Sequence, residues 1–332
     1  MGKVVTFGEV LMCLASPGSS RLKQSRSLDI DFGGAEANVA VSLAQFGEEV
    51  SFVTRLPKND MAESALMSLK SFGVNTQEVL FGGDRLGLYF FENGAVYRSS
   101  QVIYDRQNSA MASIAPGMVD WDKVFEGADW FHWTGITPAL SASAAEATLE
   151  ALHYAKAKGV KISGDYNYRS HLWKWGKSAE EVMPELLSMC DIMSGIHPDV
   201  DVVNEGVSQE LFEKAGSEMI SKYPNCELVV FTSRGNVSAS HNTWAGALYD
   251  GEKVYQSPLY NLTHIVDRVG GGDSFMAALI YAMRHYPSKQ EAVEFATAAS
   301  ALKHFVMGDQ NICSVREVES LMLGNRNGLI NR

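Results

Sequence analysis

The chain has 332 residues, of which 46% are hydrophobic and 10% aromatic, and its formal net charge at pH 7 is -11. Such a composition can fill a large core, whereas the acidic balance excludes a general polyanion-binding surface, which needs clustered Lys and Arg. An anionic substrate would have to be bound by a few local arginines. No segment reaches the roughly eighteen uninterrupted apolar residues of a membrane helix, so we expect neither a membrane nor a nucleic-acid partner.

The four cysteines are scattered along the chain and form no Cys-x-x-Cys or Cys/His cluster. Their spacing fits neither a zinc site nor a disulfide framework, so we expect structural thiols in a reducing cytoplasm. The N-terminal "MGKVVTFGEV" runs directly into a strand pattern. That pattern predicts a soluble protein without a targeting segment.

Strand-like apolar runs alternate with helical patterns along most of the chain. "KVVTFGEVLM" predicts a strand, "AEANVAVSLAQFG" a helix ending at Gly47, "EVSFVTRLP" a strand, and "DMAESALMSLKSFG" a helix ending at Gly73. The pattern continues with "ADWFHWTG", "SAAEATLEALHYAKAKG", "VKISGDYN", a helix near Glu180 to Met189, "CDIMSG" and "CELVVFTSRG". This alternation predicts a single α/β domain over residues 1–332, with a mainly parallel central sheet covered by helices on both faces.

Two stretches interrupt the alternation, at about 13–33 and 86–105. They contain short alternating segments such as "LGLYFFENGAVYRSS", with a hairpin-type "ENG" turn. We expect a small antiparallel sheet inserted beside the central one. Because Gly33–Gly34 and Tyr104–Arg106 lie at its exits, the sheet is expected to form a lid over a site.

The stretch "DRVGGGDSFMAALIYAM" has the form of a glycine loop that opens a helix. In open α/β sheets, ligands bind where such loops follow strands. Gly270, Gly271 and Gly272 lack Cβ atoms, so their amides and the helix N-terminus can form an anion hole for a phosphoryl group. Asp273 would then accept the proton of an attacking hydroxyl. The alternative is a tight turn with Asp273 as an N-cap, and this stretch alone does not decide between the two.

A second glycine motif, "FGGAEANVAVSLAQFG", places Gly33 and Gly34 just before a helix that carries Asn38. One interpretation is an ordinary turn and helix, in which Asn38 only lowers helix propensity. The functional interpretation is that Gly33 and Gly34 admit a sugar against the backbone, while the Asn38 amide holds a hydroxyl.

The paired motifs GGxxxNxAxxxxxxG (Gly33 to Gly47) and DxxGxGD (Asp267 to Asp273) resemble the two signatures of the PfkB, or ribokinase, family of carbohydrate kinases. The resemblance extends from about Val4 to about Gly308. It implies a ribokinase-like three-layer α/β/α sandwich with a small β-sheet lid, Asp273 as the catalytic base, and ATP and Mg²⁺ at the site. It also implies a homodimer or higher homo-oligomer through the lid, and allows a monovalent-cation site near "MGDQNICS".

The residues after the predicted lid strands narrow the substrate. Tyr89, Tyr104, Arg106 and Arg169 match positions with which the 2-keto-3-deoxygluconate kinases of this family hold the sugar acid. Two arginines near one sugar suit a carboxylate, which a guanidinium binds through paired hydrogen bonds. The alternative is that Arg106 and Arg169 form structural salt bridges, and related fructokinases also carry an Arg at the position of Arg169. Arg106 is therefore the more discriminating residue.

These features predict ATP-dependent phosphorylation of 2-dehydro-3-deoxy-D-gluconate to its 6-phosphate. Two alternatives stay open: a PfkB kinase of a neutral sugar such as fructose or ribose, and a sugar-acid-binding regulatory protein that has lost kinase activity.

The segment "VVFTSRGNVSAS" is similar to the family loop that passes the nucleotide phosphates and ribose. The resemblance implies that Thr232, Ser233, Arg234 and Gly235 bind the nucleotide together with Gly270 and Gly272. Adenine is expected nearer the C-terminal helices, around Ala298 to Lys303.

The family's NxxE segment, whose Glu helps to organise magnesium through water, is altered in this chain. The matching "SGIHPDVD" has Ser194 for the Asn and His197 for the Glu. The protein ligands of the metal are therefore unknown. Either Asp199 or Asp201 substitutes, or Mg²⁺ is held chiefly by nucleotide phosphates and water.

Overall fold

The computed structural model describes residues 1–195 and 209–324. The strands of this part of the chain are β1 (Lys3–Phe7), β2 (Leu11–Ala15), β3 (Asp29–Gly33), β4 (Val50–Val53), β5 (Arg55–Leu56), β6 (Leu80–Phe81), β7 (Gly87–Glu92), β8 (Gln101–Asp105), β9 (Ala128–Thr134), β10 (Lys161–Asp165), β11 (Ile192–Ser194), β12 (Leu228–Ser238), β13 (His241–Tyr249), β14 (Val254–Gln256) and β15 (Tyr260–Thr263). The α-helices are α1 (Ala35–Gln45), α2 (Asp60–Ser71), α3 (Trp121–Val124), α4 (Ile136–Leu140), α5 (Ala142–Ala157), α6 (Ala179–Leu187), α7 (Gln209–Lys222), α8 (Gly271–His285), α9 (Lys289–Lys303) and α10 (Val315–Met322).

The central sheet has the strand order β14-β13-β12-β11-β10-β9-β1-β4, and β15 also pairs with β13. Every neighbouring pair from β4 to β12 is parallel. The pairs that involve β13 are antiparallel, so a hairpin extends one edge of the sheet. The predicted mainly parallel central sheet is confirmed.

Apolar residues on both faces of this sheet explain the layers of the fold. In β1, Val4 packs into one hydrophobic cluster and the adjacent Val5 into the other, because successive side chains point to opposite faces. Residues of α1, α8 and α9 complete the first cluster, and residues of α5, α6 and α7 complete the second. The predicted three-layer α/β/α arrangement is therefore confirmed.

The predicted ends of the first two helices are also confirmed. Helix α1 ends at Gln45 and α2 at Ser71, and each is followed within two residues by a glycine with positive φ. These are Gly47 at 90° and Gly73 at 89°. Glycine is favoured there because a Cβ atom would be strained in the left-handed region.

A separate four-stranded sheet has the order β3-β2-β7-β8. The pairs β2–β3 and β7–β8 are antiparallel, but the central pair β2–β7 is parallel, so the prediction of a purely antiparallel sheet was wrong. The sheet thus consists of two antiparallel pairs, and the first strand of each pair, β2 and β7, lies next to the other. Alternation within each hairpin predicted its strands but carries no information on how the two hairpins meet.

The expectation of one strand over "KVVTFGEVLM" was also wrong. The run divides into β1 of the central sheet and β2 of the small sheet, separated by Gly8, Glu9 and Val10. The backbone passes very close to a buried carboxyl at this break, since a Cβ atom on Gly8 would lie 2.1 Å from Cδ of Glu36. The apolar run therefore supplies one strand to each of the two sheets.

Among residues 1–195 and 209–324, no helix has the length and apolar character needed to cross a membrane. Cys13, Cys190, Cys226 and Cys313 are buried free thiols. Burial raises the pKa of each of them, for example to about 12 for Cys13 and Cys226, and they act as small apolar side chains.

Candidate active site

A cavity of about 960 Å³ opens at the carboxyl ends of β10 and β11, between the small sheet and the start of α8. Ligands of open α/β sheets bind at this edge. The sequence-predicted residues that line it are Gly34, Asn38, Tyr89, Tyr104, Arg106, Arg169, Thr232, Arg234, Gly270, Gly271, Gly272 and Asp273. Gly33, Ser233 and Gly235 do not line it. The fold thus brings both glycine motifs and the arginines to one cavity.

The two motifs meet in a direct hydrogen bond. Asn38 lies in α1 and donates from Nδ2 to Oδ2 of Asp273 in α8 over 2.7 Å. The backbone N–H of Gly34 donates to Oδ1 of Asn38 over 3.3 Å, which orients the amide. Asp273 does not cap its helix, because the N-cap residue is Gly270 and the Asp273 carboxylate is bound by another helix. The capping interpretation is therefore excluded.

The environment of Asp273 raises its pKa to about 6. Burial is the main cause, and the nearby Asp165 carboxylate adds to it. The hydrogen bond from Asn38 and the charges of Arg169 and Lys303 act in the opposite direction. A carboxylate with such a pKa is ionised at neutral pH yet basic enough to accept a proton from a hydroxyl.

Each of the three positions before Asp273 is a glycine for a different physical reason. Gly270 adopts a left-handed φ of 77°, and a Cβ atom there would lie 1.8 Å from the carbonyl oxygen of Asp309. A Cβ on Gly271 would lie 2.9 Å from Cε1 of His304, whereas one on Gly272 would meet no heavy atom within 4 Å. Packing explains the first two glycines. The third leaves open space at the helix start, where backbone N–H groups lack intrahelical acceptors.

His304 explains why position 271 is a glycine. The ring is buried, and its Nδ1 lies 2.7 Å from the carbonyl oxygen of Ser300. Burial lowers the pKa of His304 to about 4, so the ring is neutral at pH 7. A methyl group at position 271 would press on a ring that this contact and Trp244, with ring centroids 5.1 Å apart, hold in place.

Asp309 lines the cavity and was not predicted as a site residue. It accepts a 2.6 Å hydrogen bond from the Tyr89 hydroxyl of the small sheet. Burial raises the pKa of Asp309 to about 7, and the neighbouring Asp267 and Asp273 add to the effect. A Cβ on Gly33 would lie 2.5 Å from Oδ2 of Asp309, so the turn before α1 packs on it. Asp309 thus connects the small sheet with both glycine turns.

Arg106 lies at the exit of the small sheet and lines the cavity with a side chain that is only 10% exposed. Its Nη1 is 3.4 Å from Oε2 of Glu9, and its Cζ is 4.3 Å from the centroid of the Tyr104 ring. Ser109 donates to Oε1 of Glu9 over 2.6 Å. Among the described residues, Nε and Nη1 of Arg106 have no hydrogen-bond partner. The guanidinium is held by the charge of Glu9 and by stacking on Tyr104, and its Nε and Nη1 remain able to donate hydrogen bonds.

Arg169 lies on the opposite wall, on the segment after β10. Its side chain is exposed, and Nη1 donates to the carbonyl oxygen of Tyr168 over 3.0 Å. Its charge lowers the pKa values of Asp165 and Asp273, although burial raises both overall. Arg106 and Arg169 therefore face one cavity from two separate elements.

The nucleotide segment differs from its prediction as a loop. Residues 232 to 235 lie within the 11-residue strand β12, which pairs antiparallel with β13. Alternation along the strand turns Thr232 and Arg234 toward the cavity and leaves Ser233 buried away from it. The resemblance suggested a loop for this segment, but Thr232 and Arg234 lie on the cavity face of the β12–β13 hairpin.

The segment Ala298 to Lys303, where adenine was expected, does not line the cavity. It belongs to α9 and packs in the core, apart from the partly buried Leu302. The cavity is lined instead by other apolar residues, among them Trp244, Phe275 and Met276.

The sequence matches the pfkB family carbohydrate kinase over residues 1–316. The chain belongs to the pfkB family of carbohydrate kinases. It is thus an enzyme that transfers a phosphoryl group to a sugar hydroxyl, and the predicted family and enzyme class are confirmed.

Similar proteins agree with this family. The 2-dehydro-3-deoxygluconokinase of Thermotoga maritima, a crystal structure, is 41% identical with a TM-score of 0.92 and covers 98% of this chain and 100% of that chain. The 2-dehydro-3-deoxygalactonokinase of Haloferax volcanii is 30% identical over 329 residues, 98% of each protein. The 2-dehydro-3-deoxygluconokinase of Bacillus subtilis is 26% identical over 320 residues, 94% of this chain and 93% of that protein. The predicted ribokinase-like fold is confirmed.

The magnesium segment of this kinase is only partly described. Ser194 ends β11 and lines the cavity, and its side chain lowers the pKa of Asp165 through a hydrogen bond. His197, Asp199 and Asp201 lie outside the described residues. Within the ranges 1–195 and 209–324, no group of three or more His, Cys, Asp or Glu side chains could hold a metal ion.

Glu9 and Glu36 were also missed by sequence reasoning, and both carboxyls line the cavity of the kinase. Burial raises the pKa of Glu36 to about 7, although Thr134 donates to its Oε1 over 2.7 Å. The one sequence signal for these residues is a glutamate beside a glycine turn, which is common on protein surfaces as well.

Proposed function

We propose that this kinase uses ATP to phosphorylate the terminal hydroxyl of 2-dehydro-3-deoxy-D-gluconate, giving the 6-phosphate. The observation that carries the proposal is the Asp273 carboxylate, which faces the cavity at the start of α8 and is bound to Asn38 over 2.7 Å. A basic carboxylate beside free helix-start amides is the pairing that phosphoryl transfer to an alcohol requires.

In this mechanism Asp273 accepts the proton of the sugar hydroxyl while the oxygen attacks the γ-phosphorus. The bond between that phosphorus and the bridging oxygen of ADP breaks as the new O–P bond forms. The amides that follow Gly270 stabilise the negative charge on the transferred group. Thr232, Arg234, Gly270 and Gly272 would bind the nucleotide from the other side.

Arg106 and Arg169 would bind the carboxylate of the sugar acid, with Tyr89 and Tyr104 beside them. The support is that the Arg106 guanidinium keeps donor capacity after its contacts with Glu9 and Tyr104. A neutral sugar gives no reason for two arginines at one pocket. The names of the Thermotoga and Bacillus relatives are consistent with a sugar acid.

The C4 epimer, 2-dehydro-3-deoxygalactonate, is a second candidate substrate. It is favoured by the name of the Haloferax volcanii protein, which is 30% identical over 98% of this chain. The epimers share the carboxylate and the terminal hydroxyl, so Arg106 and Asp273 would bind both in the same way.

Mg²⁺ would enter with the nucleotide. The described donor set offers no cluster of protein ligands, and this fits an ion that keeps its water and phosphate ligands. When bound, it would neutralise charge on the phosphates. A monovalent-cation site near "MGDQNICS" stays a prediction. Beside that segment, burial raises the pKa values of Asp267 and Asp309, and the positive charge of the buried Lys303 ammonium partly opposes this rise.

The small sheet would act as a lid and as the contact between two copies. Ile30, Leu14, Phe90 and Ile103 are cross-strand neighbours and form one apolar row across it. Ile30 is 59% exposed and Ile103 is 55% exposed. Such a row fits the same row of a second copy, so we propose a homodimer or higher homo-oligomer through this face.

A coupled ADP-release assay with 2-dehydro-3-deoxygluconate, its C4 epimer, fructose and ribose tests the function, using the wild type and Asp273→Asn. We expect turnover of the sugar acids and a loss of roughly 10²-fold or more in kcat for the variant. Equal rates in the two proteins would remove Asp273 as the base. Faster turnover of fructose or ribose would contradict the carboxylate argument, and sugar-acid binding without ADP release would favour a regulatory protein.

A further inference from the structure

Arg268 lies in the glycine turn before α8 and lines the cavity at the β12–β13 end. The guanidinium is fixed against the hairpin: Nε donates to the carbonyl oxygen of Ala239 over 2.9 Å, and Nη2 donates to Oδ1 of Asn242 over 2.9 Å. Nη2 also contacts the carbonyl oxygen of Ser238. These contacts engage one edge of the planar group. Within residues 1–195 and 209–324, Nη1 has no hydrogen-bond partner.

The pairing of the Arg268 charge also differs from that of Arg106 and Arg284. All three acceptors of its guanidinium are neutral oxygens, and within the described residues it forms no ion pair. By contrast, Arg106 lies 3.4 Å from a carboxylate oxygen of Glu9, and Arg284 lies 3.1 Å from one of Glu48. Burial lowers the pKa of Arg268, with no carboxylate charge opposing the effect. A partly buried guanidinium without a counterion is suited to an anionic ligand.

The surroundings add further positive charge. Arg234 lines the same end of the cavity, with Cζ 5.2 Å from the centroid of the Trp244 ring. Burial lowers the pKa of His304, and the charges of Arg234 and Arg268 add to this effect, so both guanidinium groups lie in the neighbourhood of that ring. The N-terminus of α8 opens onto the same space. This end of the cavity thus attracts an anion with several charges, whereas at the sugar end the Arg106 guanidinium lies 3.4 Å from a carboxylate oxygen of Glu9.

We propose that Arg268 binds the diphosphate part of the nucleotide and stabilises it as the leaving group; this inference rests on the proposed function. When the bond between the γ-phosphorus and the bridging oxygen breaks, the electron pair stays on that oxygen and the leaving diphosphate gains negative charge. Arg268 holds that charge, while the phosphoryl group bonds to the sugar oxygen and Asp273 takes the hydroxyl proton. The hairpin contacts fix the guanidinium before the nucleotide arrives, so little ordering accompanies binding.

The hairpin contacts alone would give Arg268 a structural role, and the number of phosphates on the ligand separates the two roles. Calorimetric binding of adenosine, ADP and ATP, without sugar, is measured for the wild type, Arg268→Gln and Arg268→Lys. We expect Arg268→Gln to weaken ADP and ATP by roughly ten- to a hundredfold and to leave adenosine unchanged, because a charge-assisted contact to phosphate is lost. Arg268→Lys, which keeps the charge without the planar fork, should lose less.

Arg316→Gln is the matched control, because Arg316 is exposed on α10 and does not line the cavity. It removes the same charge from the protein and should bind all three ligands like the wild type. Equal weakening of adenosine, ADP and ATP by Arg268→Gln, or no weakening, overturns the inference, and the ratio of ADP to adenosine affinity is internal to each variant. If the wild type fails to bind ATP, the proposed function itself fails, and this outcome is distinct from an unchanged ratio in a wild type that binds ATP.

Discussion

The two glycine turns that open α1 and α8 differ in what their glycines do. In the turn before α1, both glycines are required by close packing: a Cβ on Gly33 would meet the Asp309 carboxylate at 2.5 Å, and one on Gly34 would meet the Glu9 carbonyl oxygen at 2.1 Å. In the turn before α8, Gly272 alone has open space around its missing Cβ. The other glycines of the two turns are therefore explained by packing, and Gly272 is the one in these turns whose missing side chain leaves open space.

Gly270→Ala should have the largest effect and should act on the fold. The left-handed φ of 77° and the 1.8 Å approach to the Asp309 carbonyl oxygen leave no room for a methyl group. We expect a loss of about 2–5 kcal/mol in the free energy of unfolding, from backbone strain and overpacking. Urea denaturation measures it, and a variant as stable as the wild type would show that the turn relaxes without cost.

Gly272→Ala should separate catalysis from folding. Alanine favours a helix over glycine by about 1 kcal/mol, and the methyl group meets no protein atom within 4 Å, so stability should be kept or increased. The same methyl group would crowd a phosphoryl group at the helix start, and we expect kcat to fall by roughly tenfold or more. Thermal unfolding and the ADP-release assay are run on one preparation. A fully active Gly272→Ala would mean that no ligand approaches this backbone.

Asn38→Ala should have the smallest effect at neutral pH and should shift the pH profile. Burial raises the pKa of Asp273 to about 6, so activity requires the ionised base and should fall as the pH drops through that value. The hydrogen bond from Asn38 opposes the rise, so its removal should raise the pKa further and move the acid limb of kcat to higher pH.

The kcat of both proteins from pH 5 to 8 measures the shift, and Ser68→Ala, on the distant α2, serves as the control. An acid limb that stays in place would contradict a role of Asn38 in setting the pKa of Asp273, and a rise in KM with unchanged kcat would assign Asn38 to substrate binding.

The convergence of the two glycine motifs was implied by the family resemblance and not by strand order, since Gly33 ends β3 of the small sheet and Gly270 follows β15, which pairs antiparallel with β13. Asp309 could not be predicted, since its burial depends on Tyr89, 220 positions earlier in the chain. Residues 232 to 235 end the predicted run "CELVVFTSRG", but the resemblance assigned them to a loop. They belong to β12 because they pair with β13, and this pairing could not be read from the run itself.

The direction of β2 relative to β7 has the same origin. The alternating pattern within each hairpin of the small sheet predicts its strands. The parallel pairing of β2 with β7 depends instead on where the central sheet and its helices position the two hairpins. Arg106 was predicted at the exit of this sheet, whereas its partner Glu9 belongs to the break between β1 and β2 that the apolar run concealed.

The hydrogen bond between Asn38 and Asp273 joins residues that are 235 positions apart. During synthesis, α1 and the sugar-side turn leave the ribosome long before the turn that opens α8 exists. Under the proposed mechanism, a partly made chain would carry the sugar-side turn without its base. Because this contact is so non-local, the proposed catalytic centre would be completed only when nearly the whole domain has folded.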